Sequence, residues 1–269
     1  VKMKTPISYY GGKQRLAGKI VKLIPLDHVL YAEPFCGGAA VFFEKKRSEV
    51  EVINDTNKEL INFYKVVQNE FVSLEKEILI TLHSRDLHRK ASVIYNNPDM
   101  FSEIKRAWAV WTLASQSFSS ILDGTFGYDR VTGSMGKKVS NKRKSFTEEF
   151  AIRLQEVCIE CTDALRIVRS RDAKESFFYI DPPYYNSDMG HYDGYTIEDF
   201  EMLLTTLSKI KGKFLLSSYP SPMLTEYTKK FGWDSTKFDF TVSVANSAKG
   251  KRDKKKVEVL TGNYEFNLN

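Results

Sequence analysis

The chain has 269 residues, 42% hydrophobic and 13% aromatic, which is enough apolar side chain for a large core and too much for a disordered chain. Lys and Arg outnumber Asp and Glu to give a formal charge of +6, a balance that suits a polyanionic partner without naming one. Three cysteines, Cys36, Cys158 and Cys161, form no even disulfide framework and point to a reducing, cytoplasmic setting. Cys158-x-x-Cys161 has no second Cys pair and no neighbouring His, so no metal site is expected. No stretch reads as a signal peptide or a bilayer span, and no membrane association is expected.

In chain order, Tyr9 and Tyr10 precede Gly11, Gly12 and Lys13, and the helical spacing of Leu16, Ile20, Leu23 and Ile24 follows. This is a loop entering a helix. Its glycines would let a ligand approach the backbone, and Lys13 would suit a carboxylate or phosphate, although a plain turn with a solvated Lys fits the same residues. Residues 29–32 read as a short buried strand leading into Glu33-Pro34-Phe35-Cys36-Gly37-Gly38 and then a helix. Strand, Gly-rich turn and helix form a cofactor-binding arrangement. The spaced three-glycine dinucleotide fingerprint is missing, which disfavours a nicotinamide cofactor. A second strand over residues 50–55 ends in the acid Asp55, which could hold a ribose diol or cap the helix expected over 57–67.

From residue 63 to 155 the pattern turns helical, with periodic stretches over 71–81 and 102–115 in which Trp108, Trp111 and Leu113 form a packed face. A turn-rich polar tract over 117–145 follows, with residues 124–134 read as a hairpin or loop. Lys137, Lys138, Lys142, Arg143 and Lys144 come next. Basic groups interleaved with aromatics suit a loop that probes a DNA groove, and a solvated charged loop fits equally. Strands resume over 157–160, 177–180 and 213–219, alternating with helices over 198–210 and 223–231, which implies a largely parallel, doubly wound α/β sheet. Strands over 238–244 and 257–264 flank a basic loop with Lys249, Lys251, Arg252, Lys254, Lys255 and Lys256, so the sheet should close with an antiparallel pair. Residues 1–62 and 156–269 are expected to form the catalytic domain, and 63–155 an inserted, mainly helical one.

The strand over 177–180 ends in Asp181-Pro182-Pro183-Tyr184. Neither proline has an N–H, so the carbonyls of Asp181 and Pro182 stay outside any regular ladder and can accept from a ligand beside the Asp181 carboxylate. Tyr184 offers a flat face to a planar group whose amino hydrogens reach those acceptors. Adenine and cytosine both qualify, and a plain Pro-Pro turn remains the alternative.

Taken together, the segment 9–13, Glu33 to Gly38, Asp55, Asp163 and Asp181 to Tyr184 resemble, in the same order along nearly the whole chain, the motif series of the Dam-like (D12-class) DNA adenine-N6 methyltransferases. The resemblance implies a Rossmann-like methyltransferase fold with an inserted target-recognition domain, S-adenosylmethionine as cofactor and double-stranded DNA as partner, with the protein a monomer in solution. It places Tyr9, Lys13, Glu33, Pro34, Phe35, Gly37, Asp55, Asp163 and Asp181 at the cofactor. Asp181, Pro182, Pro183 and Tyr184 would stand at a flipped base, with the ring face of Tyr184 rather than its hydroxyl required. The family often has an indole where this chain has Tyr9, and residues 117–145 match its recognition hairpin only loosely. Cytosine-N4 methylation and a catalytically silent DNA-binding protein are the rival readings.

Overall fold

The computed structural model describes residues 3–185, 194–243 and 253–266, and only the backbone at 240–243 and 253–256. Seven strands, β1 (Leu30–Glu33), β2 (Val50–Asn54), β3 (Cys158–Glu160), β4 (Ser176–Ile180), β5 (Lys213–Ser218), β6 (Asp234–Ser243) and β7 (Asp253–Gly262), lie in the order β3-β2-β1-β4-β5-β7-β6. The pairs β2–β3, β1–β4 and β4–β5 are parallel, whereas β7 runs antiparallel to both β5 and β6. The expected fold class is therefore observed: a doubly wound sheet, mostly parallel, closed by an antiparallel pair. The order reverses between β1 and β4, and the crevice outside the carboxyl ends of such strands is where open α/β sheets bind ligands.

Two compact units divide the chain, one of residues 1–22 and 36–163, the other of residues 23–35 and 164–269. In the first, α3 (Lys58–Asn69), α4 (Phe71–Leu79), α5 (Arg85–Asn96), α6 (Glu103–Gln116), α7 (Ser134–Lys144) and α8 (Glu149–Leu154) fill the crossover from β2 to β3, after α1 (Ala17–Leu23) and α2 (Ala40–Glu44) earlier in the chain. The expected boundaries at 62/63 and 155/156 do not coincide with those of the compact units, because α3 begins before the first boundary and packs on α6 and α8. In the second unit, α9 (Ala164–Ser170), α10 (Ile197–Leu207) and α11 (Pro222–Phe231) alternate with the strands. No helix among the described residues is long and apolar enough to cross a membrane.

Side-chain caps set the starts of five of the α-helices among the described residues. Asn57 accepts from the N–H groups of Glu59 and Leu60, Ser84, Ser102 and Ser221 each accept one N–H of the first turn, and Thr196 with Asp199 forms a reciprocal capping box. Two sequence expectations are corrected. The tract 117–145 is not loop throughout, since 134–144 is helix α7, whose entry Asp129 builds by accepting from the N–H groups of Thr132, Gly133 and Met135. Those bonds hold the Asp129 carboxyl down at about 2. The final strands are longer than their apolar runs, so Lys254, Lys255 and Lys256 belong to β7 and not to a loop. Strand pairing runs through the backbone and does not require an apolar side chain at every position. Lys249, Lys251 and Arg252 lie outside the described residues.

Candidate active site

In the first unit, β2 delivers Asp55 to a loop made of glycines. The backbone N–H of Gly37 donates to Asp55 Oδ2 at 3.0 Å, that of Asn57 donates to Oδ1 at 2.9 Å, and the Gly37 carbonyl accepts from the Tyr64 hydroxyl at 2.7 Å. Burial pushes the Asp55 carboxyl above its ordinary value, against the N–H groups of Asn57, Gly37 and Thr56. Asp55 is therefore not the cap of α3, a role Asn57 takes. A carboxylate has about four lone-pair positions, so Asp55 keeps capacity for a diol. Asn54 stitches the strand ends together, donating to the Thr162 carbonyl at 3.0 Å and accepting from its N–H at 2.9 Å. Asp163 is exposed, one residue before α9.

What approaches the glycines closely is Tyr9. Gly37 has φ +47°, and a Cβ there would lie 3.1 Å from Cδ1 of the Tyr9 ring, while one on Gly38 would lie 2.9 Å from Tyr9 Cβ. The Tyr9 carbonyl accepts the Gly12 N–H at 3.1 Å, and Lys13 Nζ turns back onto the Gly11 carbonyl at 3.3 Å. We expect Gly37→Ala to destabilise the protein by about 1–2 kcal/mol from the left-handed backbone, with a further loss from crowding against the ring. Adding Tyr9→Ala should recover the second part only. Urea midpoints of the two variants decide this, and no recovery would mean the ring is not what the glycine accommodates.

In the second unit, carboxylates and phenols collect outside the carboxyl ends of β1, β4 and β5. Glu33 ends β1, is 2% exposed, and accepts from the Tyr31 hydroxyl at 2.6 Å. Pro34 is buried, and Phe35 meets the Tyr195 ring edge-on at 6.4 Å. The fully buried β4 carries Asp181 and the buried Pro182 just past its end, with Pro183 and Tyr184 half-buried after them. The Tyr184 ring lies 4.4 Å from that of Tyr219, tilted by 60°. Its hydroxyl, for which the sequence suggested no role, lies 3.1 Å from Asp181 Oδ1 and 3.2 Å from Ser217 Oγ and bonds Glu258, to which Ser217 also donates. Burial, then the charges of Asp181 and Glu258, hold the Tyr184 phenol well above its ordinary value. The Tyr179 phenol is raised by burial and by Asp181, Glu258 and Glu33. Sequence reasoning missed Ser217 and Glu258, and the one available signal was an acid inside the apolar run Val257-Glu258-Val259-Leu260.

The basic run is divided. Lys137, Lys138 and Lys144 are exposed on α7. Lys142 donates to the Ala114 carbonyl at 3.2 Å, and Arg143 to the Leu79 carbonyl at 2.8 Å, which fastens α7 to its neighbours. Burial, with Lys138 adding, pushes the Lys142 ammonium down to about 7. Cys158 Sγ stands 3.7 Å from Glu160 and Cys161 Sγ 3.9 Å from the Thr56 carbonyl, and among the described residues no three His, Cys, Asp or Glu are grouped to hold a metal.

The acceptor cluster stands at the switch point of a doubly wound sheet, outside the strands' carboxyl ends, which is where open α/β sheets as a class bind their ligands. The family model for the D12 class N6 adenine-specific DNA methyltransferases matches residues 9–257, and the chain belongs to that family. It is 27% identical to the Type II methyltransferase M1.LlaDCHI of Lactococcus lactis subsp. cremoris, over 94% of this chain and 93% of that protein. It is 24% identical to the Type II methyltransferase M.CviBI of Paramecium bursaria Chlorella virus NC1A, over 85% and 91%. The DNA adenine methylase of Haemophilus influenzae is 26% identical over 66% of this chain and 63% of its own length. The protein is an adenine-specific DNA methyltransferase, which decides between the two amino-bearing bases that the acceptors alone left open.

Proposed function

We propose that the protein transfers a methyl group from S-adenosylmethionine to the exocyclic N6 amine of an adenine turned out of duplex DNA. The observation that carries this reading is the position of Asp181, a carboxylate directly beyond β4 at the switch point, next to a carbonyl freed by the following proline. An aromatic amine is a poor nucleophile because its lone pair is delocalised into the ring. Accepting its two hydrogens at Asp181 and the Pro182 carbonyl favours a pyramidal nitrogen and stabilises the positive charge that develops there. Orientation of the amine supplies much of the remaining rate. The atom is unreachable inside a helix, so the base leaves the stack at a cost of about a few kcal/mol, and stacking on Tyr184 offsets part of it.

The residues present fit the cofactor. Gly37 and Gly38 leave the loop open at two successive positions, Gly37 is fixed by Asp55 and Tyr64, and the spare lone pairs of Asp55 suit a ribose diol. S-adenosylmethionine would supply an electrophilic methyl on a cationic sulfonium, a charge that Glu33 and Asp181 favour in their unit. Tyr9, Lys13, Pro34, Phe35 and Asp163 complete the proposed cofactor-binding set. The test is nucleoside analysis of duplex DNA after incubation with methyl-labelled S-adenosylmethionine. N6-methyladenine is the expected product, and label in N4-methylcytosine or in no base would refute the reading.

Residues 63–155 are the proposed target-recognition region, with the basic run on α7 against phosphate. Replacing Lys137, Lys138 and Lys144 with Gln should flatten the dependence of log affinity on log salt by roughly 0.9 for each phosphate that is no longer neutralised. Replacing Lys142 and Arg143 should act on stability instead, since both are committed to carbonyls. DNA titrations at several salt concentrations separate the two sets, and an unchanged slope in the triple variant would remove α7 from the interface.

A further inference from the structure

We infer that Glu258, on β7, is a positioning residue for the reaction: it anchors the hydroxyls of Tyr184 and Ser217 and thereby fixes the Asp181–Tyr184 segment in the geometry that receives the target amine. This rests on the reading of that segment as the target-base site.

Glu258 is 5% exposed, inside the apolar run Val257-Glu258-Val259-Leu260 of β7, two residues before the buried Leu260 and so on the same face, where another aliphatic side chain would be expected. Burying a carboxylate is costly unless donors meet it. Here two do, the hydroxyls of Tyr184 and Ser217. Ser217 is fully buried on β5, and the antiparallel register Ser217↔Leu260 and Ser218↔Val259 brings Glu258 level with the end of β5. The parallel register Ile180↔Leu216 sets the end of β4 beside the same point. Three strands thus converge on one phenol oxygen.

The consequence lies in what the two prolines leave undone. Pro182 and Pro183 cannot donate to a ladder, so the backbone after Ile180 has lost that means of being held. Tyr184 follows them, and its hydroxyl ties the segment to Glu258. With that end held by Glu258 and Ser217, the ring plane is set before a base arrives and the ordering cost is not met during binding. The same tie places the Tyr184 oxygen 3.1 Å from Asp181 Oδ1; a phenol has one hydrogen to give, so with that hydrogen on Glu258 it is the position of the segment that the tie sets. Glu258 touches neither reactant and acts through Tyr184.

The test combines a kinetic cycle with hydrogen exchange. Glu258→Ala should lower kcat on the order of 100-fold, the scale of a misplaced reacting group, with KM for S-adenosylmethionine nearly unchanged. Glu258→Gln keeps the volume and an acceptor oxygen, so it should recover most of the rate; it also guards against a fold lost through the cavity. In a Tyr184→Phe background, Glu258→Ala should add almost nothing, because the hydroxyl through which it acts is already gone. Exchange in the peptide 177–185 should quicken alike in Glu258→Ala and Tyr184→Phe. Losses that multiply in the double variant, or unchanged exchange in Glu258→Ala, would overturn the inference. Wild-type protein that fails to methylate DNA adenine would instead defeat the proposed function, and the exchange comparison would still decide whether Glu258 holds the segment.

Discussion

Asp181→Ala will lower methyl transfer by about two to three orders of magnitude, the effect of deleting one preorganised hydrogen-bonding group at a developing charge. Cofactor affinity should stay within a few-fold, because the groups proposed to hold the cofactor are mostly others: Asp55, Gly37, Glu33 and their neighbours. Asp181→Asn should fall between, since one amide oxygen still accepts while the negative charge is lost. Part of the loss in Asp181→Ala comes through Tyr184, whose hydroxyl lies 3.1 Å from Asp181 Oδ1. Tyr184→Phe measured alongside separates that part, as it removes the hydroxyl and leaves the carboxylate. Single-turnover rates and calorimetric cofactor binding are the measurements. Turnover at the wild-type rate in Asp181→Ala would show that the amine is held elsewhere.

Arg153→Ala is expected to cost about 3–5 kcal/mol of stability, the usual penalty for leaving a buried charge without its partner. Arg153 and Glu51 are 7% and 5% exposed and form a two-pronged ion pair, one prong of 2.8 Å, and Lys45 bonds Glu51 from the other side. The guanidinium also donates to the Phe42 carbonyl at 3.0 Å and sits 3.7 Å above the Phe42 ring. Burial raises the Glu51 carboxyl, but the Arg153 hydrogen bonds and the Lys45 charge more than offset it and leave it below its ordinary 4.5. A carboxyl lowered in the folded state contributes stability that is present above its unfolded value and is lost as pH falls through the folded one. Acid titration of stability below about pH 4.5 should therefore be shallower in Arg153→Ala than in wild type. Replacing Lys45, Glu51 and Arg153 together by apolar residues of similar volume should be far milder than removing Arg153 alone. Urea midpoints compare the variants, and a loss below about 1 kcal/mol in Arg153→Ala would mean that Lys45 is enough to hold Glu51 or that Glu51 reaches water after all.

The order of motifs along the chain was enough to identify the family, because Tyr9 to Lys13, Glu33 to Gly38, Asp55 and Asp181 to Tyr184 each sit in a short segment whose chemistry is local. Strand, glycine turn, helix and double proline are set by backbone preferences of adjacent residues, and these are written in the sequence directly. Periodicity likewise placed the strands and most helices, and alternation along the chain implied the doubly wound sheet. It missed α7, whose polar residues bury little beyond Val139 and whose entry depends on an Asp five residues upstream. Tertiary structure alone decided which polar groups meet. Gly37 reaches Asp55 across 18 residues, Arg153 reaches Glu51 across 102, and Tyr184 reaches Glu258 across 74. It also decided that Lys142 and Arg143 are tied to carbonyls while Lys137 stays exposed, although all five basic residues look alike in sequence. Period reports which side of an element faces inward, whereas the partner on that side depends on strand order. Here β7 enters between β5 and β6, and that insertion carries Glu258 to the ends of β4 and β5.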